Sequence, residues 1–241
     1  GVGLVGSEMC IRDSYKSGEK SFEGFLAQPD GDLNPCVLIA HTWAGRDAFV
    51  EEKAKLLTDY GYAAFAIDMY GDGKIGDSNE ENAAMMQPLL DDREELANRV
   101  LAAFDAVSKI ETIDTNKIAI MGYCFGGLVA IDLARTGADI KAAISFHGFL
   151  AGPENSSNEI TAEVLALHGD SDPMVGQDQI ESFREEMTNK KVDWQLHVFG
   201  GAMHSFTNPE ANDPDFGAVY SKNADQRSWN CLLYTSDAAD E

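Results

Sequence analysis

Basic residues are scarce in this chain. Its 241 residues include 18 lysines and arginines against 41 aspartates and glutamates, so the formal net charge is −23 at pH 7. A surface with that excess of carboxylates repels phosphate backbones and anionic lipid headgroups. We therefore predict no nucleic-acid partner and no membrane partner, and we expect no general attraction for anionic small molecules.

Cysteines and long apolar runs are also few. The four cysteines, Cys10, Cys36, Cys124 and Cys231, form no CxxC pair and no disulfide framework, which is typical of a reducing compartment and predicts a cytoplasmic location. Cys36 opens an apolar strand, where we expect it to pack as a small hydrophobe. No apolar run approaches the roughly 20 residues that a helix needs to span a bilayer.

One glycine pattern is typical of dinucleotide-binding proteins. The GxGxxG spelling occurs at 71–76, but it leads into the acidic stretch DSNEE at 77–81. Acidic residues at a helix start repel a pyrophosphate, so the pattern does not predict a nucleotide site. The spacing of histidines and cysteines also matches no zinc site. We predict no cofactor and no metal.

Short apolar strands alternate with helical segments along most of the chain. Strands are expected at 21–28, 37–40, 62–67, 117–121, 140–146, 164–168 and 192–199. Helices are expected at 47–60, at 79–109 with a break at Pro88, at 125–135, at 177–189 and from about Phe216 onward. This alternation predicts an α/β fold, a three-layer αβα sandwich with a mainly parallel sheet. We expect a single domain over 15–230, with 1–14 and 231–241 as non-native ends.

A candidate nucleophile lies between an apolar strand and a helix. The sequence Gly-Tyr-Cys-Phe-Gly-Gly at 122–127 follows the apolar run 117–121. Glycines permit a sharp turn that lifts one side chain, here Cys124, clear of the backbone. The unpaired N–H groups and the positive dipole end of the following helix favour a thiolate. This pattern predicts that Cys124 is a nucleophile for acyl transfer and not an ordinary core cysteine.

Two later strands end in loops that carry an acid and a histidine. The loop at 169–173 reads Gly-Asp-Ser-Asp-Pro, and the loop at 200–204 reads Gly-Gly-Ala-Met-His. The order nucleophile, acid, histidine along the chain is the order expected of proteins with this type of elbow. Each candidate also follows a predicted strand, at the sheet edge where active sites form. We predict Asp172 as the acid, because Pro173 favours an extended Asp172, with Asp170 as its competitor, and His204 as the base. The default for His168 and His197 is a structural role, while His41 and His147 also follow strands and remain outside candidates for the base.

These three motifs resemble those of the dienelactone hydrolase family, within the α/β-hydrolase fold, over about 15–229. The resemblance implies a catalytic triad of Cys124, Asp172 and His204. It also places one oxyanion N–H at Trp43, while the other is expected from Phe125, the residue after the nucleophile. Further candidates for the walls of a substrate pocket are Tyr70, Tyr123 and Phe146.

The chain departs from the family's founding enzymes at three positions. Those enzymes carry a glutamate where this chain has Thr42, and they hold the substrate carboxylate with arginines, one of which falls on Asn208 here. The segment after Tyr70, Gly-Asp-Gly, lacks the second arginine, so a carboxylate substrate has no bidentate partner.

We therefore expect the protein to cleave a small neutral ester, lactone or thioester through a covalent thioester on Cys124. The alternatives are a dienelactone hydrolase proper, a non-catalytic binding protein of the same fold, and a redox role for Cys124 with Cys36 as its partner. The sequence leaves open whether the protein is a monomer or a dimer.

Overall fold

The structure is a computed structural model that describes residues 9–31, 33–153 and 158–238. The strands within these ranges are β1 (Met9–Ser17), β2 (Lys20–Gln28), β3 (Asn34–Ala40), β4 (Ala63–Ile67), β5 (Ile113–Tyr123), β6 (Ala142–Phe146), β7 (Glu163–Gly169), β8 (Trp194–Phe199), β9 (Asn212–Asp213) and β10 (Ala218–Val219). The helices are α1 (Ala48–Thr58), α2 (Asn79–Asp91), α3 (Arg93–Val107), α4 (Phe125–Arg135), α5 (Gln177–Asn189) and α6 (Lys222–Ala238).

Eight of the strands form one sheet in the order β1-β2-β4-β3-β5-β6-β7-β8. The pairs β1–β2 and β2–β4 are antiparallel, and the remaining five pairs are parallel. Parallel neighbours place the carboxyl ends of β3, β5, β6, β7 and β8 along the same edge of the sheet. That edge is where open α/β sheets bind their ligands.

Helices cover both faces of this sheet. On one face the core contains Leu96 of α3 and Phe183 of α5, together with the large apolar residues of α4, a helix whose eleven residues are all buried. On the other face it contains Val50 of α1 and Leu232 of α6. Both faces being covered explains why the central strands read as continuous apolar runs. The predicted three-layer α/β architecture is confirmed.

A buried ion cluster, defined here as Arg93, Asp132, Arg135 and Glu186, joins α3, α4 and α5. Asp132 accepts hydrogen bonds from Arg93 at 2.6 Å and from Arg135 at 3.0 Å, and Arg135 pairs with Glu186 at 2.6 Å. Arg135 also donates to the carbonyl of Leu150 at 2.9 Å. Since every charge in the cluster has a partner of opposite sign, the cost of burying it is offset. The cluster thus fixes the chain that follows β6.

The predicted break at Pro88 is wrong, because α2 continues through Pro88 to Asp91. A proline in the last turn of a helix removes one i→i−4 hydrogen bond and does not stop the helix at once. The break lies instead at Asp92, whose side chain accepts a hydrogen bond from the backbone N–H of Glu95 at 2.9 Å and thereby caps α3.

The last helix also begins later than predicted, at Lys222 and not near Phe216. Residues 212–219 instead form a small antiparallel hairpin of β9 and β10. The turn is set by Gly217, which has φ of 86°, and by a hydrogen bond from the Phe216 N–H to the Asp213 carboxylate at 2.9 Å. A positive φ is incompatible with continuing a right-handed helix, so the hairpin interrupts the apolar spacing.

The segments predicted to be non-native ends are partly described. Residues 9–14 form the first part of β1, which pairs with β2, and residues 231–238 continue α6. Residues 1–8 and 239–241 lie outside the described residues. The domain boundaries at 15 and 230 stay a prediction.

Candidate active site

The three residues predicted as a triad lie at the carboxyl edge of the parallel strands. Cys124 follows β5, Asp172 lies in the loop after β7, and His204 lies in the loop after β8. All three side chains are at least nine-tenths buried. The fold therefore brings together three side chains that are up to 80 positions apart in the sequence.

Cys124 occupies a strained turn between β5 and α4. Its backbone has φ of 56° and ψ of −118°, and its N–H donates to the carbonyl of Phe146 at 3.0 Å. The turn requires glycine on both sides, because a Cβ on Gly122 would lie 1.9 Å from the Gly126 carbonyl oxygen and one on Gly126 would lie 2.1 Å from that of Ala40. A non-glycine residue held at such dihedral angles costs on the order of 1–3 kcal/mol, which the surrounding core must offset. This strain orients the thiol toward the sheet edge.

Asp172 and His204 form a buried hydrogen-bonded pair. His204 Nδ1 lies 2.8 Å from one carboxylate oxygen of Asp172, and the other oxygen accepts the N–H of Met174 at 2.8 Å. Both carboxylate oxygens are therefore occupied, which fixes the orientation of the imidazole. Asp170, the competing candidate, is exposed two residues earlier in the same loop.

The second nitrogen of His204 lies beside the Cys124 sulfur. Nε2 makes no hydrogen bond of regular geometry among the described residues, but the two side chains are close enough for their interaction to shift both pKa values. Burial opposes a charge on His204, but the neighbouring Cys124 and Asp172 outweigh it and raise the pKa of His204 to about 10. Burial likewise opposes ionisation of Cys124, yet the His204 imidazole lowers the pKa of the thiol below 9.0. Both shifts favour a thiolate–imidazolium pair.

Two backbone N–H groups point at the Cys124 sulfur. They belong to Phe125, the first residue of α4, and to Trp43 in the loop after β3, and hydrogen bonding by both contributes to the lowered pKa of the thiol. These are the two residues predicted to donate to an oxyanion. Donors that stabilise a thiolate are positioned to stabilise other negative charge that develops beside the sulfur.

Hydrogen bonds to buried side chains hold the loop that carries Trp43 in place. The hydroxyl of Tyr70 donates to the Trp43 carbonyl at 2.9 Å. His41 lies with Nδ1 at 2.5 Å from the Thr42 carbonyl, and its Nε2 accepts the N–H of Met69 at 3.1 Å. These bonds tie the loop after β3 to the loop after β4. His41 is thus a structural histidine of the loop after β3.

The three predicted pocket residues occupy different places. Tyr70 lies at the site, since it contacts Trp43 and the charge of Cys124 raises its pKa in addition to the effect of burial. Tyr123 and Phe146 stack on each other with ring centroids 4.7 Å apart, and their exposed fractions are 0% and 1%. A side chain with no exposed surface does not line an open pocket, so the prediction for these two residues does not agree with their placement in the core.

His147, which follows β6, lies against the predicted base, a contact that the sequence did not indicate. Its ring meets the ring of His204 edge-on with centroids 5.1 Å apart, and its Nε2 lies 2.8 Å from the Thr207 hydroxyl. Burial and the neighbouring His204 lower the pKa of His147 well below 6.5, so it stays neutral. Its position at the end of a parallel strand was the one available signal. His168, at the end of β7, is also buried with a lowered pKa.

The GxGxxG segment is organised around a carboxylate of the chain itself. The buried Asp68 accepts hydrogen bonds from the N–H groups of Tyr70, Gly71 and Gly73 at 2.8–2.9 Å, and a fourth from Glu23 at 3.2 Å. The amide groups that would receive a phosphate in a dinucleotide site are therefore used within the protein. Sequence reasoning missed Asp68, because its partners are set by the fold and not by a local motif.

The geometry disfavours Cys36 as a redox partner of Cys124. Cys36 pairs in register with Ile118, six residues before Cys124, which corresponds to about 20 Å along the strand. A disulfide requires Cα atoms within about 7 Å. Burial also raises the pKa of the Cys36 thiol to about 12, which makes it unreactive.

Two features, a metal-binding cluster and a membrane-spanning helix, are not found in the part of the chain that the structure describes. It contains no group of three or more histidine, cysteine, aspartate or glutamate side chains that could hold a metal ion. It also contains no helix that combines the length and the apolar character needed to cross a bilayer.

The chain matches known proteins over most of its length. Residues 22–238 match the model of the dienelactone hydrolase family. A Bradyrhizobium protein named "Probable 2-oxo-3-(5-oxofuran-2-ylidene)propanoate lactonase" is 28% identical over 222 residues, which are 87% of this chain and 86% of that protein. An uncharacterised Caenorhabditis elegans protein is 38% identical over 142 residues, which are 57% of this chain and 90% of that protein.

Solved structures agree with this assignment. The crystal structure of a dienelactone hydrolase-like promiscuous phosphotriesterase from metagenomic libraries superposes with a TM-score of 0.91 at 32% identity, covering 95% of this chain and 98% of that one. The predicted resemblance is thus confirmed. The chain belongs to the dienelactone hydrolase family and is an α/β hydrolase that acts on ester or lactone bonds.

Proposed function

We propose that the protein hydrolyses small neutral esters or lactones through a thiolate on Cys124. The observation that carries this proposal is the placement of that sulfur between the His204 imidazole and two backbone N–H groups. Cys124 Sγ would attack the carbonyl carbon, forming a C–S bond and an oxyanion. The N–H groups of Trp43 and Phe125 would donate hydrogen bonds to the oxyanion. Removing one such donor typically costs about 3–4 kcal/mol of transition-state stabilisation.

Collapse of this intermediate breaks the bond to the leaving oxygen. The proton on His204 Nε2 passes to that oxygen, which departs as an alcohol, or stays attached if the substrate is a lactone. Cys124 then holds the acyl group as a thioester. Neutral His204 next takes a proton from water, the resulting hydroxide attacks the thioester carbon, and the C–S bond breaks. This step releases the acid and restores the thiolate–imidazolium pair.

Asp172 has the supporting role in this proposal. Its hydrogen bond to His204 Nδ1 at 2.8 Å holds the imidazole with Nε2 toward the sulfur and stabilises the imidazolium. Both side chains are excluded from water, with exposed fractions of 0% and 2%, so competing hydration is small. An exposed acid such as Asp170 would supply neither effect.

A neutral substrate is favoured by the charges around the site. Arg46, in the same loop as Trp43, is buried and pairs with Glu23 and Glu51, so its guanidinium is not available to a substrate carboxylate. Asn208, which replaces an arginine of the family's founding enzymes, accepts the N–H of Glu210 at 3.0 Å. A carboxylate-bearing lactone would therefore meet no bidentate cation at this position.

The covalent step is tested by trapping the acyl-enzyme. Rapid acid quenching of the wild-type protein during turnover of p-nitrophenyl acetate should preserve one acetyl group on Cys124, detected by peptide mass spectrometry. His204→Asn should prevent this labelling, because it removes the group that lowers the pKa of the thiol. Neutral hydroxylamine should remove the acetyl group, because thioesters are aminolysed more readily than oxygen esters. Cys124→Ala should abolish both labelling and turnover. Undiminished turnover by Cys124→Ala would contradict the proposal.

A second class of neutral substrate is favoured by one observation. The solved structure with 32% identity and a TM-score of 0.91 is described as a promiscuous phosphotriesterase. A neutral phosphotriester would present its P=O oxygen to the same two N–H donors. Turnover of diethyl p-nitrophenyl phosphate that disappears in Cys124→Ala would support this activity, and a wild-type protein that cleaves only p-nitrophenyl acetate would exclude it.

A further inference from the structure

An exposed aromatic ring lies over the proposed oxyanion loop. Phe216, at the tip of the β9–β10 hairpin, stacks on Trp43 with ring centroids 5.6 Å apart and an interplanar angle of 21°. Its exposed fraction is 43%. One part of the ring is thus covered by Trp43 and another part is open to a ligand or solvent.

The hairpin that carries Phe216 is attached to the site and not to the sheet alone. The His204 N–H donates to the Gly217 carbonyl and the Val219 N–H donates to the His204 carbonyl, both at 3.0 Å. Gly217 also packs against Pro173, since a Cβ built on it would lie 2.2 Å from the proline ring. The hairpin therefore contacts the loop of His204 and the loop of Asp172, and its Phe216 contacts Trp43 in the proposed oxyanion loop.

The geometry points to Phe216 as a specificity-determining residue, which together with Trp43 forms an aromatic wall for an apolar, preferably aryl, group of the substrate. This inference rests on the proposed function and narrows its substrate class to neutral esters with an aromatic substituent. Because the Trp43 N–H points at the Cys124 sulfur, a substrate whose carbonyl lies at that N–H brings its adjacent substituent within reach of the stacked pair. Offset stacking on an exposed ring is the contact that such a substituent would make.

The charges of the same hairpin support an apolar and uncharged substituent. Asp213 and Asp215 flank Phe216 and are exposed, so a carboxylate bound against the ring would be repelled. The partly buried Phe149 lies beside the His204 ring, at 6.3 Å between centroids. Apolar rings thus lie beside His204 and beside Trp43.

The test compares esters that differ in one ring. Phenyl acetate carries the ring on the leaving group, ethyl benzoate carries it on the acyl group, and ethyl acetate carries none. An aromatic contact is worth about 0.5–1.5 kcal/mol, so Phe216→Ala should lower kcat/KM for at least one of the two aromatic esters about twofold to twelvefold, mainly through KM. Ethyl acetate should change less than twofold, and Phe216→Tyr should restore the wild-type values.

The chain offers a matched control for the loss of an exposed ring. Tyr60 is 46% exposed and lies against Trp229 at 6.2 Å, remote from the sheet edge that carries Cys124. Tyr60→Ala should leave the ratio between aromatic and aliphatic esters unchanged.

Two results would overturn the inference. An equal loss for all three esters in Phe216→Ala would mean that the ring only positions His204, and a shifted pH profile of kcat would point the same way. Unchanged kinetics with every ester would mean that the ring touches no substrate. If Phe216→Ala shows no dependence on the aromatic ring of the ester but Cys124→Ala loses all activity, the inference fails and the proposed function stands. A Cys124→Ala variant with full activity would refute the function itself.

Discussion

Replacing Asp172 with asparagine tests the proposed thiolate–imidazolium pair most directly. Asparagine keeps the volume of the side chain, and its carbonyl oxygen still accepts the N–H of Met174. The amide NH₂ group then faces His204 Nδ1 and donates to it. The imidazole is thereby held as the neutral tautomer with its proton on Nε2, which cannot take the proton from Cys124.

The expected magnitude follows from the burial and length of the bond that is lost. A hydrogen bond to a charged group contributes about 1.5–3 kcal/mol, and a 2.8 Å bond between side chains that are 0% and 2% exposed belongs in the upper half of that range. A loss of about 2–3 kcal/mol lowers the ratio of ion pair to neutral pair by about 30- to 150-fold. The rate at which Cys124 is alkylated at pH 7 should fall by up to that factor.

The assay is the pH dependence of inactivation by iodoacetamide. The pKa of Cys124 is lowered by the neighbouring His204, so in the wild type the thiolate persists to a lower pH than in an ordinary cysteine. As the pH is lowered, the inactivation rate should therefore begin to fall at a lower pH than the rate of an ordinary thiol does. Alkylation of glutathione under the same conditions is the reference for an ordinary thiol.

Asp170→Asn is the matched control, because it removes the same charge from an exposed position two residues away. We expect it to leave the alkylation profile unchanged. A wild-type rate that rises tenfold per pH unit up to pH 9, as for a free thiol, would refute the ion pair. Equal rates for Asp172→Asn and the wild type would refute the role of Asp172.

Three further predictions concern stability and local geometry. Burial lowers the pKa of His147, so below pH 6.5 this histidine binds a proton in the unfolded chain but not in the folded chain, and the free energy of unfolding falls with pH. His147→Asn should reduce this fall between pH 6.5 and 5 by up to about 2 kcal/mol, measured by urea denaturation. Gly126→Ala should cost about 1–3 kcal/mol or more and lower kcat/KM, because its Cβ would meet backbone at 2.1 Å, whereas Gly200→Ala, with open space around it, should be nearly neutral in both measurements. Asp132→Asn in the buried ion cluster should destabilise the fold by about 3–5 kcal/mol, against at most about 1 kcal/mol for Arg184→Gln in an exposed pair of the same spacing, as compared by thermal unfolding.

Much of the fold follows from local sequence patterns. Helices α4 and α5 begin and end where the sequence predicts, because each has a continuous apolar face between clear turn signals. The elbow is also predictable, since Gly122 is required by a contact with Gly126 within the same turn. The contact that requires Gly126 is instead with Ala40 of β3 and is not visible in the local sequence. The order of the three loops then follows from the rule that parallel strands end at the same edge.

Other features depend on partners that are distant in the sequence. Asp68 is held by a loop on one side and by Tyr15, whose hydroxyl donates to its carbonyl, 53 residues away. His147 meets Thr207 across 60 residues. No local period or motif reports such contacts, so a sequence interpretation finds the residue without its role. The β9–β10 hairpin was missed for a related reason, because it is held by backbone hydrogen bonds to His204 in the loop after β8.

The placement of the histidines explains how one charge is confined to one ring. Burial lowers the pKa values of His147 and His168, and the nearby His204 lowers both further, so neither competes for a proton near neutral pH. His204 is buried as well, but it alone has a carboxylate on Nδ1 and a sulfur beside Nε2. The difference between these histidines therefore lies in their hydrogen-bond partners and not in their exposure. If the partners were removed, burial would make His204 neutral like its neighbours, which is why Asp172 and not the depth of the site should set the reactivity of Cys124.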